Sequence, residues 1–275
     1  MTSNQENTVR PEDLLLQRFY SHCQKRGGDV FLTQPVPGSV TDYTFNEVLD
    51  QSKRMAAHLK SLGLPPQSKI AMISKNCAHF IMADLAIWMA GHVSVALYPT
   101  LIRDTVSYIL GHSDAELLFV GKLDTWDEVK HGIPEGMRQI ALPLAPGTGL
   151  PGWDDIVAKT EPIADSPVRD ASDEAIIIYT SGSTGQPKGV LHTFQTICAP
   201  TVGLVSQLNI NATDRGLSYL PLAHAMDRWL SECIGIYVGT HIYFAESLTT
   251  FAQDLARARP TIFVSVPRLW LKFQR

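Results

Sequence analysis

The chain predicts an α/β fold in which mostly parallel strands lie under helices, and three observations carry that prediction. Short runs rich in Val, Ile and Phe alternate with longer stretches whose apolar residues recur at helical spacing. Gly, Pro and Asn fall between the runs, where turns are needed. The 275 residues are 45% hydrophobic, enough for a sizeable core.

In chain order, Pro11, Glu12 and Asp13 suit a first helical turn, and Leu14, Leu15, Phe19 and His22 continue one face to about Lys25. Gly27 and Gly28 stop it. A strand at 30–32 is expected to form a hairpin with 43–45 across a turn at 35–39. Residues 46–62 keep helical spacing through Val48, Leu49, Met55, Leu59 and Leu62, and Gly63 follows as a C-terminal cap. A strand at 69–73 leads to a helix that Asn76 is expected to cap and Gly91 to close. That helix is apolar almost all round, at Phe80, Ile81, Met82, Leu85, Ile87 and Trp88, so it should be buried.

The alternation continues with strands at 93–98 and 116–120, a helix at 104–110 and a weaker strand near Ile140. Residues 142–152, LPLAPGTGLPG, read as a long loop. A helix is expected over 194–208, with Pro200 kinking it or delaying its start. Strands at 216–220, 241–245 and 261–266 are then spaced by helices, one after Arg228 and one near 251–256; a last helix starts at Pro267.

Composition excludes several functions. A net charge of −4 gives no basic stripe, so nucleic acid is not an expected partner. Cys23, Cys77, Cys198 and Cys233 lack CxxC pairing and read as reduced, buried thiols. The polar N-terminal stretch has no signal-peptide core, and Asp84 and Glu232 interrupt the two most apolar regions short of a transmembrane length of about 18 residues. A cytoplasmic protein is expected, with peripheral contact to a membrane left open.

Residues 176–190, IIIYTSGSTGQPKGV, are the most informative stretch. An apolar strand breaks into a loop of small residues whose amides can approach an anion closely. Thr180, Ser181, Ser183 and Thr184 supply hydroxyl donors, Gly182, Gly185 and Gly189 conformational freedom, and Lys188 a positive charge. It is not a Walker A loop: Pro187 stands where the second glycine would, and Gly189 where the magnesium-binding hydroxyl would.

YTSGSTGQPKGV resembles the phosphate-loop signature of adenylate-forming enzymes, which include acyl-CoA synthetases, luciferases and peptide-synthetase adenylation domains. LPLAHAMDR, at 220–228, is similar to their second signature, with His224 where the family places a histidine or aromatic residue near the substrate carboxylate and α-phosphate. A histidine satisfied inside the core is the competing reading of that position. Asp227 and Arg228 cannot face each other on a helix, so each needs its own partner. Long-chain acyl-CoA synthetases usually carry Glu-Arg there, and the VPR segment before Trp270, with Arg268, points to the same subfamily.

The resemblance implies stacked, mostly parallel sheets flanked by helices, as in the large N-terminal domain of such an enzyme. It implies ATP-dependent activation of a fatty acid to acyl-AMP and transfer to coenzyme A, with Mg²⁺ accompanying ATP. Thr180, Ser181, Gly182, Ser183, Thr184, Gly185 and Lys188 would bind the nucleotide, and His224 would act at the reacting centre. Residues 1–275 would form the N-terminal part of the AMP-binding domain. The family's further adenine, ribose and lysine signatures lie downstream, so this stretch alone is expected to be inactive. A fatty acyl-AMP ligase, or a non-catalytic nucleotide-binding fragment, remains the alternative. Chain length of the acid and oligomeric state are left open.

Overall fold

In the computed structural model, residues 9–181 and 185–273 are described, apart from the side chains of Arg268, Lys272 and Phe273. Two sheets organise them. A four-stranded sheet has the order β2-β1-β10-β9, with β1 Val30–Val36, β2 Ser39–Thr44, β9 Arg215–Ser218 and β10 His241–Phe244. A six-stranded sheet runs β6-β5-β3-β4-β7-β8, with β3 Lys69–Ile73, β4 Val93–Leu97, β5 Ala115–Val120, β6 Arg138–Ala141, β7 Glu174–Thr180 and β8 Lys188–Thr193. All neighbours are parallel except the hairpins β1–β2 and β7–β8.

The six-stranded sheet is covered on both faces, and its strands divide accordingly. Ile70, Met72, Leu117, Phe119, Ile176 and Ile178 point into the larger core. Ala71, Ile73, Val95, Leu97, Leu118 and Val120 point to the other, under α4 Arg103–His112. This two-residue alternation of face is the pleat at work. The larger core also takes residues of the four-stranded sheet, Phe31, Leu32, Ile242 and Phe244 among them, so one apolar mass joins the sheets.

At the centre of that mass is α3, Ala78–Met89, all of whose residues are buried. It packs on α1 Leu15–Arg26, α2 Phe45–Ser61, β1 and β4. The all-round apolar pattern is therefore matched by all-round burial. Asn76 does not cap it, contrary to expectation. Cys77 takes the cap position, and the first amide, Ala78 N–H, donates to Gln34 Oε1 at 2.8 Å.

Other boundaries moved for identifiable reasons. Pro11–Asp13 forms a separate 3-10 turn, because Leu14 is extended and α1 begins after it. Phe45 belongs to α2, which starts at a reciprocal cap between Thr44 and Glu47. Pro200 neither delays nor ends α7, Phe194–Leu208, whose start is set by the reciprocal cap of Thr193 and Thr196. Short helices α5 Trp126–Val129 and α6 Trp153–Lys159 were not anticipated. The segment 261–266 is not a strand: Thr261 and Ile262 N–H both reach the single carbonyl of Arg215, and no ladder follows among the described residues. After the short helix α8 Ala225–Asp227 the chain winds as π-helix over Arg228–Cys233 and Gly235–Gly239. Helices α9 Phe251–Ala258 and α10 Pro267–Phe273 complete the described chain.

The four cysteines are free and buried. No helix among the described residues is long and apolar enough to cross a membrane.

Arg169 fixes the approach to β7. Its buried guanidinium pairs with Asp173 at 2.8 Å and donates to the carbonyls of Trp88, His92 and Glu174 at 3.3, 3.4 and 3.2 Å. It also lies 5.3 Å over the Phe194 ring. Arg169→Leu removes this donor from all those acceptors, though Trp88 O keeps Gly91 N–H and Asp173 keeps the Asp170 amide, and should lower stability by about 1.5–3 kcal/mol in urea melts. A loss below about 0.5 kcal/mol would show that the bracket contributes no more than a surface contact.

Candidate active site

The glycine- and serine-rich stretch is the tip of the β7–β8 hairpin. Thr180 pairs with Lys188 across it, then Tyr179 with Gly189 and Ile178 with Val190. Strand β8 was not foreseen: it lies at the sheet edge with Val190 and Leu191 exposed, so its sequence carries no burial alternation. Thr180, Ser181, Gly185 and Lys188 are exposed, and Gly185 uses a φ of +87° that favours glycine. Gly182, Ser183 and Thr184 lie outside the described residues.

Beneath the tip, Tyr179 is anchored from the sheet's other side. Its hydroxyl is 2.8 Å from His112 Nδ1 on α4, with the two rings edge to face. Burial pushes the phenol up from its ordinary value. Gly189 lies on this tyrosine: a Cβ there would stand 3.0 Å from Ile177 Cγ2 and 3.2 Å from Tyr179 Cζ. A glycine lets the strand that begins with Lys188 sit close against β7.

His224 comes from the other sheet, on the connection from β9 to α8. A turn closes with His224 N–H donating to Pro221 O at 2.8 Å. The side chain then caps α8, its Nδ1 accepting from Met226 N–H at 3.1 Å. His224 is exposed, which removes the reading of a core histidine. With Nδ1 occupied as an acceptor, the neutral ring carries its proton on Nε2. Its ring meets Tyr98 edge to face at 6.3 Å. Tyr98 follows β4, which pairs with β7 through Ala96 and Ile178. Continued by two residues, that register sets Tyr98 level with Thr180. The two predicted constellations thus approach each other at neighbouring strand ends.

Asp227 and Arg228 point to separate partners, as helical geometry requires. Asp227 is buried and accepts from Ser218 Oγ at 2.7 Å, Ser231 Oγ at 2.8 Å and Asn76 Nδ2 at 2.9 Å. Arg228 is buried against Asp84 at 2.7 Å and Glu232 at 3.0 Å. Neither residue faces solvent, so both support the site and neither is placed to touch a substrate.

Beside these elements opens a cavity of about 800 Å³ at the C-terminal ends of β3, β4, β9 and β10. Pro99, Thr100, Tyr219, Leu220, Pro221 and Phe251 line it. It adjoins His224 through the residues next to Tyr98 and the turn at Pro221, although His224 and Lys188 are not among its walls. Open α/β sheets commonly bind ligands at such strand ends. Among the described residues no cluster of three or more His, Cys, Asp or Glu could hold a metal ion.

Burial pushes the Asp227 carboxyl up to about 7, while its three hydrogen bonds act in the opposite direction. Between its ordinary value of 3.8 and about 7, the folded protein holds a proton that the unfolded chain has released. Stability from this group therefore falls as pH rises through that interval and is level above it. In urea melts, the stability of wild type relative to Asp227→Asn should decline from pH 4 to 7; a constant difference would place the proton elsewhere.

A family model described as "AMP-binding enzyme" matches residues 19–275. Arabidopsis thaliana long chain acyl-CoA synthetase 4 is 29% identical over 254 residues, which cover 85% of this chain and 38% of that protein. Arabidopsis long chain acyl-CoA synthetase 5 is 31% identical over 248 residues, with coverage of 82% and 37%. The chain thus spans under two-fifths of the length of these relatives. Among solved structures, a putative long-chain-fatty-acid CoA ligase from Rhodopseudomonas palustris CGA009 superposes with a TM-score of 0.79 at 21% identity, covering 92% of this chain and 63% of that one. The anthranilate CoA ligase AuaEII, in complex with anthranoyl-AMP, gives 0.79 at 19% identity, covering 93% and 51%. At these identities the two structures speak for the fold.

Proposed function

The chain belongs to the AMP-binding enzyme family, and from that premise we propose that it is the N-terminal part of an adenylating domain in a long-chain fatty acid:CoA ligase. The reaction would join a fatty acid carboxylate to the α-phosphate of ATP, release pyrophosphate, and then pass the acyl group to coenzyme A. The observation that carries this reading is the hairpin that sets Lys188 opposite Thr180 at an exposed loop tip, beside the strand end reached by His224. The names of the curated relatives favour a long-chain acid and coenzyme A as the acceptor.

A carboxylic acid with a solution pKa of about 4 to 5 is ionised at neutral pH, so the first step needs no general base. It needs alignment and charge stabilisation. The carboxylate oxygen attacks the α-phosphorus, the bond to the bridging oxygen breaks, and pyrophosphate carries away the electron pair. Thr180, Ser181, Gly182, Ser183, Thr184 and Gly185 would hold the leaving phosphates by hydroxyls and amides, and Lys188 would offset their charge. His224 would present Nε2–H to the oxygens at the reacting centre. Mg²⁺ would arrive with ATP as the metal–nucleotide substrate and neutralise phosphate charge. In the second step the thiol sulfur attacks the acyl carbonyl, the thiol proton is released, and AMP leaves. A cytoplasmic location, with the acid drawn from a membrane surface, fits the reduced thiols and the water-insoluble substrate.

In the full protein, ATP–pyrophosphate exchange should depend on added long-chain fatty acid. Lys188→Ala should lower it by about 10²–10³-fold, the scale of losing one preorganised charge-stabilising donor. Exchange without acid dependence, or an unchanged rate in Lys188→Ala, would overturn the reading. Acyl-AMP that persists when coenzyme A is present would redirect it to a fatty acyl-AMP ligase.

A further inference from the structure

The His224 segment and the phosphate-loop strand belong to different sheets, so something must set their relative position. A residue that spans the junction next to His224 is Asn76, on the connection from β3 in the six-stranded sheet to α3. Its Nδ2 lies 2.8 Å from Ser218 Oγ, 2.6 Å from the Leu220 carbonyl and 2.9 Å from Asp227 Oδ2. Its Oδ1 accepts from Leu222 N–H at 3.0 Å. All these partners belong to β9, the turn before His224, or the first turn of α8. The side chain is buried, and no other described group serves the Leu222 amide.

Asn76 has the sequence position of a helix cap but not the role, since Gln34 serves the first amide of α3. Its carboxamide is thereby left for the segment carrying His224. A planar group with two N–H donors and one acceptor oxygen can hold a carbonyl, a carboxylate and an amide at once; no smaller side chain can. Ser218 Oγ also donates to Asp227 Oδ2, which ties the strand end and the helix start into the same cluster.

We propose that Asn76 is a positioning residue for the adenylation site, holding the Leu220–His224 segment at a fixed offset from the strand ends that carry the phosphate loop. The placement rests on the adenylation reading given above. Asn76 stands in the wall of the cavity, but its carboxamide is taken up by the segment that carries His224, and the role assigned to it acts through that histidine. Removing it leaves Leu222 N–H and Leu220 O unpaired, and the turn must shift to satisfy them.

The test is a double-mutant cycle in the full protein. Asn76→Ala should reduce kcat for fatty-acid-dependent ATP–pyrophosphate exchange by about 100-fold, the scale of a misplacement near 1 Å. The KM for ATP should stay within about threefold, because the phosphate loop itself is untouched. In a His224→Ala background the same substitution should cost less than about threefold, as for residues that act as a unit. An equal loss in both backgrounds, or an unchanged kcat, overturns the proposal. Where Asn76→Ala does not fold, Asn76→Asp is used: it preserves size and the acceptor for Leu222, and the same cycle applies. If wild type shows no adenylation, the adenylation reading fails on its own. The positioning claim is then decided by imidazole NMR of His224, which loses its Nδ1-acceptor signature in the variant if the claim holds and keeps it if the claim is wrong.

Discussion

One buried cation holds the molecule's two halves together. Arg228 is 1% exposed, between Asp84 on α3 and Glu232 one π-helical turn further along, both of them fully buried. Its guanidinium sits 5.1 Å from the Phe80 ring centre, and Nη2 reaches Ser94 Oγ on β4 at 3.3 Å. Charges so deeply buried persist only when paired, and one cation faces two acids. Burial raises the Glu232 carboxyl well above its ordinary value, with Arg228 opposing the shift and Asp84 adding to it. The cluster fastens the helix that follows His224 to the central helix of the core and to β4.

The path from this cluster to the site is short. Asp227 precedes Arg228 and points the other way, toward a hydroxyl of β9 and an amide of the β3–α3 connection. Adjacent residues thus fix the same helix start from two sides, one by ion pairing with the core and one by hydrogen bonding across the sheets. The π-helical winding over Arg228–Cys233 falls on this segment, where both anchors must be met within a few residues.

Local patterning made much of the fold legible. The parallel strands expected at 69–73 and 116–120 are visible as compact apolar runs, and α3 as a helix without a polar face. The hairpin strand β8 was not, because an edge strand with exposed Val190 and Leu191 has no core to impose a pattern. Segment 261–266 looked like a strand by composition, yet it lacks the ladder that makes one. Lys188 and His224 stand out as candidates from the consecutive residues of their own motifs. Asn76 was read as a cap because its partners lie 142 to 151 residues away in the chain, a distance no local pattern reaches. The acids Asp84 and Glu232 were noticed only as interruptions of apolar runs, and their purpose appears when the fold brings Arg228 between them.

The cap made by His224 has a further consequence. The imidazole and the Met226 amide satisfy each other, so neither is idle before a ligand arrives. Any rotation of the ring breaks that bond, so the orientation of the imidazole is tied to the first turn of α8. The histidine therefore turns only by giving up its cap, and a change at the start of this helix is felt at the ring.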